Sequence, residues 1–264
     1  SFDPLIIHIS DREKAKSLAK WNKLANFLAE KFWPGPLTIV APKTDKVSSI
    51  ITAGLSSVAI RCPKHTLATS VLSKFTGLAA PSANKFGKTS PTSAEHVEKE
   101  FKGKVLVLDG GPCEVGIEST VIGIVSESEL AIYRPGMITK ETLARVLEDF
   151  DRKVLITYTE SPVAPGQLKH HYMPDIPLLF NKSLLKKEDI LPLAKIHLKQ
   201  DFKNPVTLIL NDSAIVTARE LYQQFRIASE ANYDLIIVNG TTTMDRDDWR
   251  GILNRLEKAA SLTV

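Results

Sequence analysis

The feature that most limits what this chain can fold into is a lapse in its apolar periodicity. Short apolar runs alternate with amphipathic helical stretches up to Phe150, and again after Pro177. Between those points the pattern disappears, and Pro162, Pro165, Gly166, Pro174 and Pro177 punctuate the chain. Proline fixes φ and removes a backbone donor, so such a stretch neither extends a helix nor sits inside a sheet. A chain of 264 residues divided there reads as two α/β domains: residues 1–150, a linker over 151–175, and a C-terminal domain over 176–264.

Within the first part, residues 4–9 read as a short buried strand. Asp11 then caps a helix predicted to run to Phe32, with Ala15, Leu18, Ala19, Leu24, Phe27 and Leu28 at helical spacing, until Trp33-Pro-Gly-Pro stops it. Strands are predicted over 37–40, 57–61, 77–80 and 105–108, and a hairpin over 119–125 and 130–133. Helices are predicted over 67–75, over 92–101 with Thr92 as cap, and over 139–150 with Thr139 as cap. After the linker, strands at 176–180, 206–210 and 235–238 alternate with helices at 217–227 and 249–260, which argues for a small parallel α/β unit.

Composition narrows the function classes. Hydrophobic residues make up 43% and charged residues 24%, the balance of an ordinary globular protein. The net charge of +4 is mild and spread over both halves, so tight non-specific nucleic-acid binding is not indicated. Cys62 and Cys113 form no CxxC pair, which argues against a disulfide framework or a zinc site and fits a reducing compartment. No apolar run approaches the roughly 20 residues that span a bilayer. The first residues carry no signal-peptide pattern, since Asp3, Pro4 and His8 interrupt them, so a cytoplasmic location and no membrane partner are expected. The opening passes from loop chemistry straight into a strand pattern with no Met. It reads as the interior of a longer protein, and an N-terminal segment is expected before Ser1.

Two loops could carry chemistry. The stretch from Gly77 to Thr92 leaves a strand at Ala80 and becomes mostly small, polar and turn-forming. Ligand sites in α/β folds sit at such strand ends, and Ser82, Asn84, Ser90 and Thr92 can hydrogen-bond phosphate or ribose oxygens. The same residues also suit a surface loop that satisfies its own backbone. Gly87-Lys-Thr imitates the end of a phosphate-cradling GxxxxGK[ST] loop, but position 82 is serine where the first glycine belongs, so that reading fails. In the second loop, Asp109 through Gly116, glycines flank a turn that leads to Ser119 and Thr120. Those hydroxyls could meet a small ligand, or the stretch is simply a long hairpin connection.

Arg61 and Arg134 stand at strand ends, where a guanidinium can grip a carboxylate or phosphate through paired hydrogen bonds. His8 in its apolar strand reads first as a core residue. His170-His171 lacks companion carboxylates or cysteines, so no metal site is expected. Tyr172 beside them has a ring and hydroxyl that could cover a nucleotide. Cys113 has no base at a recognisable spacing and reads as a plain loop cysteine. Read from the residues alone, this is an α/β protein with an anion site and no catalytic nucleophile.

Seven short segments occur in one order: Pro4-Leu-Ile-Ile-His, Trp33-Pro-Gly-Pro-Leu-Thr, Val58-Ala-Ile-Arg-Cys-Pro, Ala80-Pro-Ser-Ala-Asn, Gly87-Lys-Thr-Ser-Pro-Thr, Gly116-Ile-Glu-Ser-Thr-Val and Arg134-Pro-Gly. Together they closely resemble the YrdC-type domain of threonylcarbamoyl-AMP synthases. The linker Ala164-Pro-Gly-Gln-Leu-Lys-His-His-Tyr-Met-Pro and the α/β segment after it resemble the long, two-domain form of that family. The resemblance implies a YrdC-like twisted mixed sheet with flanking helices, plus a small Rossmann-like parallel α/β domain.

It also implies a reaction. L-Threonine and bicarbonate form a carbamate, whose carboxylate attacks the α-phosphate of ATP to give threonylcarbamoyl-AMP and pyrophosphate. Magnesium is expected with the ATP, and a separate complex then transfers the threonylcarbamoyl group to tRNA. Such chemistry needs alignment and charge neutralisation rather than an enzyme nucleophile. By motif match, His8, Arg61, Ser82 and Ser119 resemble the threonine-side positions, with Arg61 on the amino acid's carboxylate. Asp3, Ser57, Asn84, Ser90, Thr92 and Arg134 resemble the ATP-side positions, and Tyr172 a linker residue that folds over the nucleotide. Asp3 stands where the family commonly has asparagine, so it needs magnesium or another cation beside it. The family's Lys/Arg-rich strand and Thr-containing loop would lie upstream of Ser1.

Two other readings remain at this point. One is an RNA-binding regulatory protein that uses the same concave surface, with weak contact to tRNA or double-stranded RNA; the modest charge and lack of an aromatic stripe weigh against it. The other is an accessory domain of carbamoyl transfer, which the linker and C-terminal part fit less well.

Overall fold

A computed structural model describes residues 3–159 and 171–264. They fall into two compact units, residues 1–81 with 118–167 and residues 82–117 with 168–264.

The first unit opens with β1 (Ile6–His8). The single helix predicted from Asp11 to Phe32 is in fact broken. Asp11 accepts from the Glu13 N–H and starts a 3-10 turn, Arg12–Lys14, which continues into α1 (Ala15–Leu18). At Ala19 the chain becomes extended, and Asn22 starts α2 (Lys23–Phe32) by accepting from the Ala25 N–H. The reason is tertiary. Ala19 bridges Lys43 in antiparallel fashion and the Lys20 N–H donates to the Pro42 carbonyl, so strand pairing takes the backbone donors a helix would need.

The unit continues with β2 (Leu37–Pro42), β3 (Ser57–Arg61), α3 (Thr66–Leu72) and β4 (Leu78–Ala80). Residues 82–117 carry α4 (Ala94–Phe101) and belong to the second unit. The first unit resumes with β5 (Thr120–Ile124), β6 (Glu129–Arg134), α5 (Lys140–Leu147) and β7 (Leu155–Tyr158). Thr139 caps α5 by accepting from the Thr142 N–H, as expected. Within the proline-punctuated stretch, β7 pairs in parallel with β6.

The described strands form a mixed sheet in the order β4-β1-β3-β2-β5-β6-β7. One row of partners crosses five of them: Ile7 with Ile60, Ile60 with Ile39, Ile39 with Ile122, and Ile122 with Ile132. All five isoleucines join one buried cluster with Leu24 and Leu28 of α2 and Leu143 of α5. Each such side chain contributes about 1.5–3 kcal/mol when fully buried, so this face anchors the sheet. Side chains alternate along a strand, and the neighbouring row faces the other way. There Ile6, Val40, Ala59 and Val121 form a separate, smaller cluster.

In the second unit α4 is capped by Ser93, whose Oγ accepts from the His96 N–H; Thr92 is not the cap. The strand predicted at 105–108 is absent. Val105 is 45%, Leu106 88% and Leu108 59% exposed, and no strand pairs with them among the described residues. β-Branched and aliphatic composition without a partner ladder does not make a strand.

The C-terminal part supplies β8 (Leu178–Asn181), α6 (Lys187–Leu198), β9 (Pro205–Leu208), α7 (Ala214–Glu230), β10 (Leu235–Asn239), α8 (Arg250–Ala259) and β11 (Leu262–Thr263). Its sheet runs β11-β8-β10-β9 with every pairing parallel, as the alternation predicted. The sequence reading missed α6, whose interior Pro192 disguises it, and the two-residue β11. Among the described residues no helix is long and apolar enough to cross a membrane.

Candidate active site

In the first unit the polar residues gather at one end of the sheet. His8 is the register partner of Arg61 across β1 and β3. Pairing of Ile39 with Ile60 sets Thr38, one residue before Ile39, opposite Arg61, and Thr38 in turn pairs with Val121, which pairs with Arg134. In β1, β3 and β2 this row lies one step along from the isoleucines, so His8, Arg61 and Thr38 share the face opposite the main core. Arg134 is two residues from Ile132, and the bulge between Val121 and Ile122 lets it join Thr38 through Ser119.

Two of the row's groups are tied to Ser119, just before β5. The Arg134 guanidinium donates from Nε to the Ser119 carbonyl and from Nη2 to its Oγ, each at 3.1 Å. Ser119 Oγ also shares a 2.7 Å hydrogen bond with Thr38 Oγ1, and all three side chains are buried. Ser119 is held in place from behind: the Thr120 N–H donates to the Pro36 carbonyl, and Thr120 Oγ1 donates to the Ile138 carbonyl. Arg61 is only partly buried and donates from Nε to the Gly35 carbonyl at 3.1 Å.

Burial, and secondarily the charge of Arg61, lower the His8 pKa to about 4, against a backbone hydrogen bond with Ile6 that raises it. The imidazole is therefore neutral at neutral pH and able both to donate and to accept. Ser57 opens β3, at the opposite end of that strand from Arg61, and Asp3 precedes β1 on the same side as Ser57. The end of the sheet thus brings together His8, Arg61, Ser119 and Arg134, but not Ser57 or Asp3.

The second unit holds the other predicted residues. Ser82 is exposed, whereas Ser90 and Thr92 are buried. Asn84 donates from Nδ2 to the carbonyls of Lys85 at 2.8 Å and Lys88 at 3.0 Å, which closes the loop on itself. Its Oδ1 is buried and has no protein partner among the described residues, a free acceptor inside the turn. The Thr92 carbonyl accepts from the Cys113 N–H, so the glycine-containing loop meets the hydroxyl loop at this point. The Thr92 N–H donates to His96 Nδ1, and burial followed by the charge of Arg226 lowers the pKa of that histidine.

Thr89, which the sequence reading passed over, is the anchor of this loop. Its N–H donates to the Met173 carbonyl, its Oγ1 to the Tyr172 carbonyl, and its own carbonyl accepts from Arg226. Gly87-Lys-Thr, rejected as a phosphate loop, pairs with the end of the proline-punctuated stretch: Lys88 bridges Met173 in parallel.

Tyr172 is not open to a ligand here. It is 1% exposed, its ring stacks on Tyr222 at 5.8 Å and 22°, and the Arg255 guanidinium lies 5.4 Å from its centroid. Its φ of +67° is unusual for a side chain of this size and is held by that packing. His170, named with it in the sequence reading, lies outside the described residues. Cys62 is buried and its thiol pKa is raised, first by burial, which removes it from nucleophilic chemistry; Cys113 is exposed.

A family model described as "Telomere recombination" matches residues 1–136, and one described as "Threonylcarbamoyl-AMP synthase, C-terminal domain" matches residues 138–261. The threonylcarbamoyl-AMP synthase of Pyrococcus abyssi is 33% identical over 99% of this chain and 81% of its own length. The chain belongs to the threonylcarbamoyl-AMP synthase family. The Bacillus subtilis member is 42% identical over 67% of this chain and 53% of its own length. The crystal structure of P. abyssi Sua5 complexed with L-threonine superposes with a TM-score of 0.82 at 32% identity, covering 99% of this chain and 82% of that one. The two matched regions establish the long, two-domain form of the family. The mixed sheet and the parallel sheet are this family's fold.

Thr38 and Thr89 are the polar residues whose roles went unread in the sequence. Thr38 stood inside the quoted segment Trp33-Pro-Gly-Pro-Leu-Thr, but its partner Ser119 is 81 positions away. Only strand register connects them.

Proposed function

We infer that this chain is a synthase of threonylcarbamoyl-AMP, joining L-threonine, bicarbonate and ATP and releasing pyrophosphate. Family membership fixes the reaction. The observation that carries the residue roles is the row at one end of the sheet, where a partly buried guanidinium, a neutral imidazole and the Thr38–Ser119–Arg134 network converge.

In this reading Arg61 takes the carboxylate of threonine as a paired, charge-assisted contact. The uncharged His8 hydrogen-bonds the amino acid without repelling its ammonium group, and Ser119 presents a hydroxyl whose place is set before substrate arrives. Ser82 is assigned to the threonine side by motif match alone. The complex of the P. abyssi relative with L-threonine supports an amino-acid site of this kind.

We assign Asp3, Ser57, Asn84, Ser90, Thr92 and Arg134 to the ATP side. Arg134 is 4% exposed and bound to Ser119, so its charge acts on the nucleotide through the field at that serine. Tyr172 would have to leave its packing on Tyr222 to cover a nucleotide. The carbamate oxygen of N-carboxythreonine attacks the α-phosphorus and pyrophosphate leaves. Magnesium accompanies ATP on its phosphates; among the described residues no group of three or more His, Cys, Asp or Glu is placed to hold a metal. The division into residues 1–150, 151–175 and 176–264 is likewise proposed. So are a cytoplasmic location, delivery of the product to a separate tRNA-modifying complex, and at most a weak contact with tRNA, in keeping with a net charge of +4.

Calorimetry on the full-length protein tests the site. Threonine binding in the micromolar-to-millimolar range that is lost in Arg61→Ala is the expected result. Pyrophosphate release should require threonine and bicarbonate together. Release from ATP alone, or RNA binding that ignores threonine, would overturn the assignment.

A further inference from the structure

The reaction leaves the C-terminal domain without a role, and the second unit contains a contact that supplies one. Arg226 lies on α7 and Glu100 near the end of α4, with side chains 16% and 11% exposed. Arg226 Nη2 stands 3.4 Å from Glu100 Oε2 and donates at 2.6 Å to the Thr89 carbonyl. The other carboxylate oxygen, Glu100 Oε1, accepts from the Lys85 N–H at 2.7 Å. One ion pair therefore grips the hydroxyl loop twice, at Lys85 through its N–H and at Thr89 through its carbonyl. Just before the first grip, Asn84 closes the loop onto the Lys85 and Lys88 carbonyls and presents the unpartnered Oδ1.

We propose that Arg226, acting with Glu100, is a positioning residue that holds the Asn84–Thr92 loop in the shape that receives ATP. This rests on the assignment of that loop to the nucleotide. Arg226 touches no substrate. It acts by keeping the backbone at Lys85 and Thr89 in one place, so that ATP meets a loop already ordered. The geometry suits the task. A buried pair that loses one partner leaves an uncompensated charge, so the two residues stand or fall together, and both of its loop contacts are charge-assisted. Arg226 lies within the C-terminal family match and Glu100 within the N-terminal one, and the second compact unit holds both.

The test is steady-state pyrophosphate release by the full-length protein, with threonine binding measured separately by calorimetry. Arg226→Met and Glu100→Gln are each expected to raise the KM for ATP roughly tenfold, the scale of a lost charge-assisted contact, while threonine affinity stays within about twofold. The double variant should be no worse than the worse single one, because the pair acts as a unit. Arg226→Lys should recover part of the ATP affinity. Asn84→Ala is the control. If Asn84→Ala raises the ATP KM and the Arg226 and Glu100 variants do not, the positioning role is wrong and the loop assignment stands. If Asn84→Ala leaves the ATP KM unchanged, both are wrong. Should Arg226→Met fail to fold, as a thermal melt will show, Arg226→Lys and Glu100→Gln carry the same comparison. Parallel losses of ATP and threonine affinity in those variants would mark a merely structural role and overturn the proposal.

Discussion

Arg134 holds Ser119 by its backbone and its side chain at once, donating to the carbonyl and to Oγ at 3.1 Å each. The same Oγ meets Thr38 Oγ1 at 2.7 Å, so three residues from three strand ends share one hydroxyl. Ser119→Ala removes a buried hydroxyl that accepts from Arg134 Nη2 and bonds Thr38 Oγ1. The expected loss is about 1–3 kcal/mol, read as a lower urea midpoint. Arg134→Lys cannot reproduce the two-pronged contact and should cost at least as much. A lysine variant as stable as the native protein would show that the fork is not what fixes Ser119.

His8 predicts a pH dependence. In the folded chain its pKa is lowered to about 4, and in the unfolded chain it protonates below about 6.5. Between those values the unfolded state binds more protons, so stability rises with pH; it is fully present above 6.5 and declines as pH falls towards 4. The whole effect is on the order of 3 kcal/mol. Urea midpoints at pH 7 and pH 4.5 should differ less in His8→Asn than in the native protein. Equal pH slopes in the two proteins would mean that the imidazole is not buried in the folded chain.

Gly116 has φ near +81°, and a Cβ there would come within 2.3 Å of the Ala218 carbonyl and 2.5 Å of Arg219 Cα on α7. Gly116→Ala therefore meets an unfavourable backbone conformation and a clash with backbone together. We expect a loss of roughly 2–4 kcal/mol, visible in thermal melts as a drop of several degrees. An unchanged melting temperature would refute the close approach of the 109–117 loop to α7.

The two cysteines should react differently. Cys62 is 2% exposed with its pKa raised by burial, whereas Cys113 is exposed. Iodoacetamide at neutral pH should label Cys113 within minutes and Cys62 only after denaturant is added. Mass spectrometry of the native protein showing both thiols modified at similar rates would contradict the packing around β3.

What could be read from the residues was local. The strand at Ser57–Arg61, the hairpin of β5 and β6, the Thr139 cap and the parallel alternation after the linker all announce themselves through spacing and turn chemistry over a few positions. The quoted segments likewise gave away the family, because each lies within a short stretch of chain. Pairing between distant segments could not be read this way. Ala19 leaves the helical pattern because Lys43 pairs with it; Val105 to Leu108 fails as a strand because nothing pairs with it among the described residues. Thr38 finds Ser119 through register alone, and Arg226 reaches Thr89 from 137 positions away. A side chain's type and its face on a strand are set by neighbours along the chain. The group it meets across that face depends on how remote segments come together in three dimensions, which no short window of sequence records.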